Sequence, residues 1–242
     1  MAIAYPRLVV GPHRPLAAAI CLLAVSNVMT NEVLPSWAYL PWSLAMTAIL
    51  LWLALGVDRV GPSRLGLGRD TWRRGTLVGV LVLTAIGIVL VVAALIPTTS
   101  ELFEDRRVGE VSALGMAYQV FVRIPFGTVL LEEVAFRGVL LGMFLQRTTT
   151  GLAVLASSAL FGLWHVLPSL DISEVNPVLA DAFGGTGGAV AAVVLAVIGT
   201  ALAGVVFCWL RLVSGSLVAP ILTHVGTNSL GFLVAWFVIR SG

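Results

Sequence analysis

The chain has 242 residues, 59% hydrophobic and 11% charged, with a mean hydropathy of +1.03. A soluble domain carries about 25% charged residues, so the composition excludes an ordinary water-soluble globule and points to an integral membrane protein. The net charge of +2 comes from 14 arginines, with no lysine, against 12 acids. The arginines form no clustered basic face, which argues against a nucleic-acid partner and leaves membrane lipids as the surrounding medium.

A helix needs about 20 mostly apolar residues to cross a bilayer. Segments 16–31, 39–57, 76–96, 114–146, 150–168, 187–210 and 216–238 have that character. They predict an all-α, polytopic transmembrane bundle of about seven spans, built as a single membrane domain over 1–242. Arginines precede the first apolar stretch and no small-residue cleavage site follows it, which predicts an uncleaved first helix. That span carries Asn27 and Asn31, and the fourth carries Arg123 and Pro125; the fourth is expected to kink at Pro125 or to run past the bilayer.

The positive-inside rule places the N-terminus in the cytoplasm of a plasma-membrane protein. Arg7, Arg14, Arg59, Arg64, Arg69, Arg73, Arg74, Arg147 and Arg211 then lie inside, and Arg106, Arg107 and Arg240 outside. The acids Glu101, Glu104, Asp105, Glu110, Asp171, Glu174 and Asp181 fall in the outer loops.

Smaller features complete the pass. The basic stretch 65–75 (LGLGRDTWRRG) reads either as an amphipathic segment on the inner interface or as a plain basic loop. The glycines of 184–188 predict a flexible entry to the sixth span. Within that span, Gly199 with Ala203 and Thr200 with Gly204 are small residues four apart that would let a neighbouring helix approach. Cys21 and Cys208 fall in apolar helices, where buried, inert thiols are expected, and their spacing fits neither a disulfide framework nor a zinc site.

Function is concentrated in six residues. Glu132 and Glu133 stand side by side in an apolar run, at a cost of roughly 2.5 to 3.5 kcal/mol for each charge at membrane depth. Such residues mark functional sites facing the protein interior. Glu133 and Arg137 are four apart and share a helix face, so the arginine can pair the buried carboxylate. Glu132 then points about 100° away, free for another task. The segments 114–146 and 150–168 read as an antiparallel hairpin turning near position 148.5. Glu132 and His165 are equidistant from that centre and so lie at one depth. His224 and Asn228 are again four apart, with Gly226 between them leaving room for water or substrate.

Three ordered motifs carry a resemblance. Glu132-Glu133-Val-Ala-Phe-Arg137 matches EExxxR, Phe161-Gly-Leu-Trp-His165 matches FxxxH, and His224-Val-Gly-Thr-Asn228 matches HxxxN. The chain resembles the CPBP family of intramembrane proteases, which includes CaaX prenyl endopeptidases and bacteriocin-processing proteins. The resemblance covers residues 114–238 and implies that this region is the catalytic core. It implies a helical bundle with a polar intramembrane cavity that hydrolyses a peptide bond of a membrane-associated, possibly prenylated CaaX-type, substrate. In that reading Glu132 is the base, His165 helps hold the water, and His224 and Asn228 stabilise the oxyanion. Glu133 and Arg137 brace them. No cofactor is expected. The alternatives are a zinc-dependent version ligated by Glu132, His165 and His224, a proton-coupled transporter, and a non-catalytic immunity protein.

Overall fold

A computed structural model describes residues 13–170, 183 and 185–241. Of the residues placed by charge, Arg7, Asp171, Glu174 and Asp181 lie outside the described residues, and the side chains of Arg106 and Arg107 are not described. Among the described residues no strand occurs, and seven helical segments of 15 residues or more are joined by short helical turns and loops. They are α1 (Arg14–Val33), α2 (Ser36–Val57), α3 (Arg69–Leu95), α4 (113–147), α5 (Thr150–Trp164), α6 (Gly185–Ser214) and α7 (Val218–Ser241). Five of them, α1, α2, α3, α6 and α7, are long and apolar enough to cross a membrane.

The difference from seven spans has a physical source. α5 has 15 residues and stops at Trp164, short of the roughly 20 that cross a bilayer. α4 has the length but carries Arg123, Glu132, Glu133 and Arg137. It sits at the centre of the bundle, packed by α1, α2, α5 and α7. Every residue from Glu133 to Leu140 is buried. Outer helices show the reverse pattern: Leu77, Leu81, Ile88, Val89 and Leu95 of α3 are all exposed. Apolar side chains directed outward suit a lipid surround, where association relies on close packing of small residues.

Close packing is visible at glycines. A Cβ on Gly75 would stand 2.6 Å from Ser216 Cβ, and one on Gly79 would stand 2.9 Å from Leu222 Cβ, so α3 presses directly on α7. A Cβ on Gly162 would come within 2.7 Å of the Val197 carbonyl, joining α5 to α6. Of the two small-residue pairs expected in α6, Gly204 makes such an approach, to the Ser158 backbone, whereas Gly199 faces open space.

Several local expectations change. α4 continues through Pro125 as π-helix over Gln119–Val129, a geometry whose wider turn tolerates a missing N–H. The 65–75 stretch is not one interfacial amphipathic helix. Leu65 is fully buried, and the Gly66 carbonyl, at φ +76°, accepts from the Leu217 amide at 2.9 Å. The chain then enters α3. Buried Arg211 donates to the Ser63 and Arg64 carbonyls and fixes this corner. Residues 185–188 open the α6 helix rather than forming a flexible lead. Cys21 is exposed, against expectation, on a face of α1 that also exposes Ala17, Ala18 and Val25; Cys208 is buried and both are free thiols. At the end of α4, Arg147 and Asp58 form a buried bidentate pair at 2.5 and 2.9 Å that ties α4 to the end of α2.

Candidate active site

The site forms where α4 and α7 both depart from α-helical geometry. α4 switches to π-helix at Glu133–Leu140, one residue after Glu132. α7 does so at Gly226–Leu230, between His224 and Asn228. Such π-bulges recur at functional sites because the extra residue per turn re-aims side chains.

Glu133 and Arg137 are both fully buried, and Arg137 Nη1 donates to Glu133 Oε1 at 3.0 Å. The expected clamp is therefore present. The guanidinium also stacks at 3.8 Å from the Phe161 ring centroid and 4.8 Å from that of Phe207. Cation–π contacts contribute about 2 kcal/mol or more when desolvated. This arrangement compensates a buried charge that a lone ion pair would leave costly.

Glu133 Oε1 has a second donor, His224 Nδ1, at 2.8 Å. That contact places the imidazole proton on Nδ1, because a carboxylate can only accept. His224 Nε2 then receives the Asn228 Nδ2 amide at 3.2 Å, and Asn228 Oδ1 accepts from Thr227 Oγ1 at 3.2 Å. One buried carboxylate thus sets a tautomer, and the tautomer sets an amide.

Glu132 is 5% exposed and differs from its neighbour. Its Oε1 accepts from Trp164 Nε1 at 3.1 Å. Its Oε2 takes no hydrogen bond and stands 3.7 Å from His224 Nε2. Trp164 is held in turn by Asn27 of α1, whose Nδ2 donates to the Trp164 carbonyl at 2.8 Å. The awkward asparagine of the first span therefore caps the end of α5.

His165 lies close by without joining Glu132. α5 ends at Trp164, and His165 occupies its C-cap, half-buried. Its side chain folds back so that Nδ1 donates to the Phe161 carbonyl at 2.8 Å. The α5 side chain that meets Glu132 is Trp164, the neighbour of His165, and His224 is the imidazole within ion-pair distance of Glu132. Phe161 links the two histidines: its ring centroid is 4.6 Å from that of His165 and 6.1 Å from that of His224. Neither Trp164 nor Asn27 was assigned to the site from sequence. The signal available was a polar residue in an apolar helix for Asn27, and adjacency to His165 for Trp164.

The three side chains named for a zinc-dependent version, Glu132, His165 and His224, each make other contacts here. Both His224 nitrogens are engaged, and among the described residues no three His, Cys, Asp or Glu side chains converge as a metal site. Beside the site, a cavity of about 430 Å³ is lined by apolar residues including Leu23, Val28, Phe136 and Leu163, with Asn27 and Trp164 at its wall. Trp164 stands between this cavity and Glu132.

Residues 114–230 match the family model described as Type II CAAX prenyl endopeptidase Rce1-like. No curated protein and no solved structure matches the chain.

Proposed function

We propose, from the match of residues 114–230 to the Rce1-like type II CAAX prenyl endopeptidase model, that the chain is a metal-independent intramembrane endopeptidase acting on prenylated CaaX-type substrates. The observation that carries this reading is the split between two adjacent glutamates. Glu133 takes two donors on Oε1, from Arg137 and His224, whereas Glu132 takes one, from Trp164, and its second oxygen, without a hydrogen bond, stands 3.7 Å from His224 Nε2.

Amide hydrolysis needs an activated water, a stabilised oxyanion and a proton for the leaving nitrogen. In the proposed reaction a water sits against Glu132 Oε2, which takes its proton as the water oxygen attacks the scissile carbonyl. The oxyanion receives the Asn228 amide, which turns to it from His224 Nε2. His224 borders the same space; its protonated form, stabilised by Glu133, adds a second donor. His165 spends Nδ1 on the Phe161 carbonyl, which leaves Nε2 to accept from the attacking water. When the C–N bond breaks, Glu132 returns its proton to the departing amine.

The apolar cavity supports the substrate class. Its volume lies within the range of about 300–1,000 Å³ usual for ligand pockets. An isoprenoid chain lodged there would set its cysteine beside Trp164 and the following bond beside Glu132.

The test is cleavage of a synthetic farnesylated CaaX peptide by the purified chain, with Glu132→Ala as control, before and after chelation. Release of the C-terminal tripeptide, lost in Glu132→Ala and indifferent to chelators, is the expected result. Activity lost on chelation and restored by stoichiometric zinc would overturn the metal-independent mechanism.

A further inference from the structure

Arg123 has no task in that mechanism. It lies on α4 nine residues before Glu132 and is half-buried. Among the described residues no carboxylate stands within ion-pair distance of it. Its one hydrogen bond, from Nη1 to Gln119 Oε1, is long at 3.4 Å, and its guanidinium rests 4.4 Å from the Tyr39 ring centroid. A cation kept in an apolar bundle without an anion is costly and marks a functional position.

The helix geometry aligns this arginine with the site. Gln119 and Arg123 are four residues apart, as are Thr128 and Glu132, and residues four apart share a helix face. Arg123 and Thr128 are five apart, the repeat of the π-helical hydrogen bonds that α4 makes over Gln119–Val129. Tyr39 touches both: its ring stacks on Arg123 and its hydroxyl is 3.1 Å from Thr128 Oγ1. One polar stripe therefore runs from Arg123 down to Glu132.

The length of the stripe is informative. Nine helical residues rise about 13 Å. Three extended peptide residues cover about 10 Å, and a charge-assisted N–H···O contact adds about 2.8 Å. We propose that Arg123 binds the free α-carboxylate of the substrate, three residues beyond a scissile bond held at Glu132. This rests on the endopeptidase reading above, since a C-terminal CaaX sequence presents three residues and a carboxylate after its prenylated cysteine. Tyr39 holds the guanidinium flat, and the weak Gln119 contact yields easily to an anion.

The experiment compares two farnesylated CaaX peptides, one ending in a free carboxylate and one in a carboxamide, on wild type, Arg123→Gln and Arg123→Lys. Wild type should favour the carboxylate in KM by about tenfold or more. Arg123→Gln should lose that preference while cleaving the carboxamide peptide at the wild-type kcat, which also reports that it is folded. Arg123→Lys should restore part of the preference. An unchanged carboxylate-to-carboxamide ratio in Arg123→Gln overturns the assignment and leaves the endopeptidase reading intact. Loss of turnover on both peptides in both variants overturns it too, in favour of a structural role. If wild type cleaves neither peptide, the endopeptidase reading fails and the assignment falls with it.

Discussion

The two flanks of the Glu132–Glu133 pair are one residue apart in sequence and opposite in character. On the Glu133 side two donors, from Arg137 and His224, converge on one oxygen of a fully buried carboxylate, its other oxygen takes no hydrogen bond, and Phe161 and Phe207 stack on the arginine. On the Glu132 side one tryptophan N–H meets one oxygen, and the other oxygen is buried without a hydrogen bond. Successive helical residues point about 100° apart, so one helix can hold a structural carboxylate and a chemically free one at the same depth. The difference teaches that the clamp and the base are separate devices, which substitutions can uncouple.

The strongest blow to the closed flank is Arg137→Ala. It leaves Glu133 buried and uncompensated, which costs about 3–5 kcal/mol. Thermal unfolding in detergent should show the loss; a variant as stable as the parent would mean that Arg137 does not clamp Glu133. On the open flank, Trp164→Phe keeps the ring and removes the donor to Glu132. A hydrogen bond to a charged group contributes about 1.5–3 kcal/mol, so kcat/KM should drop roughly tenfold or more while most of the stability remains. Wild-type kinetics in this variant would show that Trp164 does not orient the base. Gly79→Val tests the support behind both flanks, because its side chain would meet Leu222 and Ala219 on the helix that carries His224. Overpacking of this kind costs about 1–3 kcal/mol. The expected signature is a modest loss of stability with a larger loss of kcat, and a loss of stability alone would show that α7 can shift without moving His224.

Much of this was legible in the sequence. The apolar runs located all seven helical segments, and the spacing of Glu133 with Arg137 and of His224 with Asn228 foretold their contacts. The number of crossings was not legible, because an apolar run does not fix helix length: α5 ends at Trp164 after 15 residues, although the apolar run continues to 168. Nor was the partner of Glu132: spacing sets depth but not rotation, and it cannot show that His165 sits on a helix cap folded against Phe161. The π-helical stretches have no sequence signature beyond Pro125 and Gly226, yet they decide which side chains align. Sequence left 65–75 open between an interfacial amphipathic segment and a basic loop, because the burial of Leu65 and the Arg211 contacts to the preceding Ser63 and Arg64 carbonyls depend on residues about 150 positions away.

The most direct measurement is the steady-state kinetics of Glu132→Gln on a farnesylated CaaX peptide. The substitution keeps the shape of the side chain and its contact to Trp164 but removes the base. The account predicts a kcat lower by about 10²–10⁴-fold, with KM within about twofold of wild type, the pattern of an interaction made only in the transition state. Turnover at the wild-type rate in Glu132→Gln would contradict it.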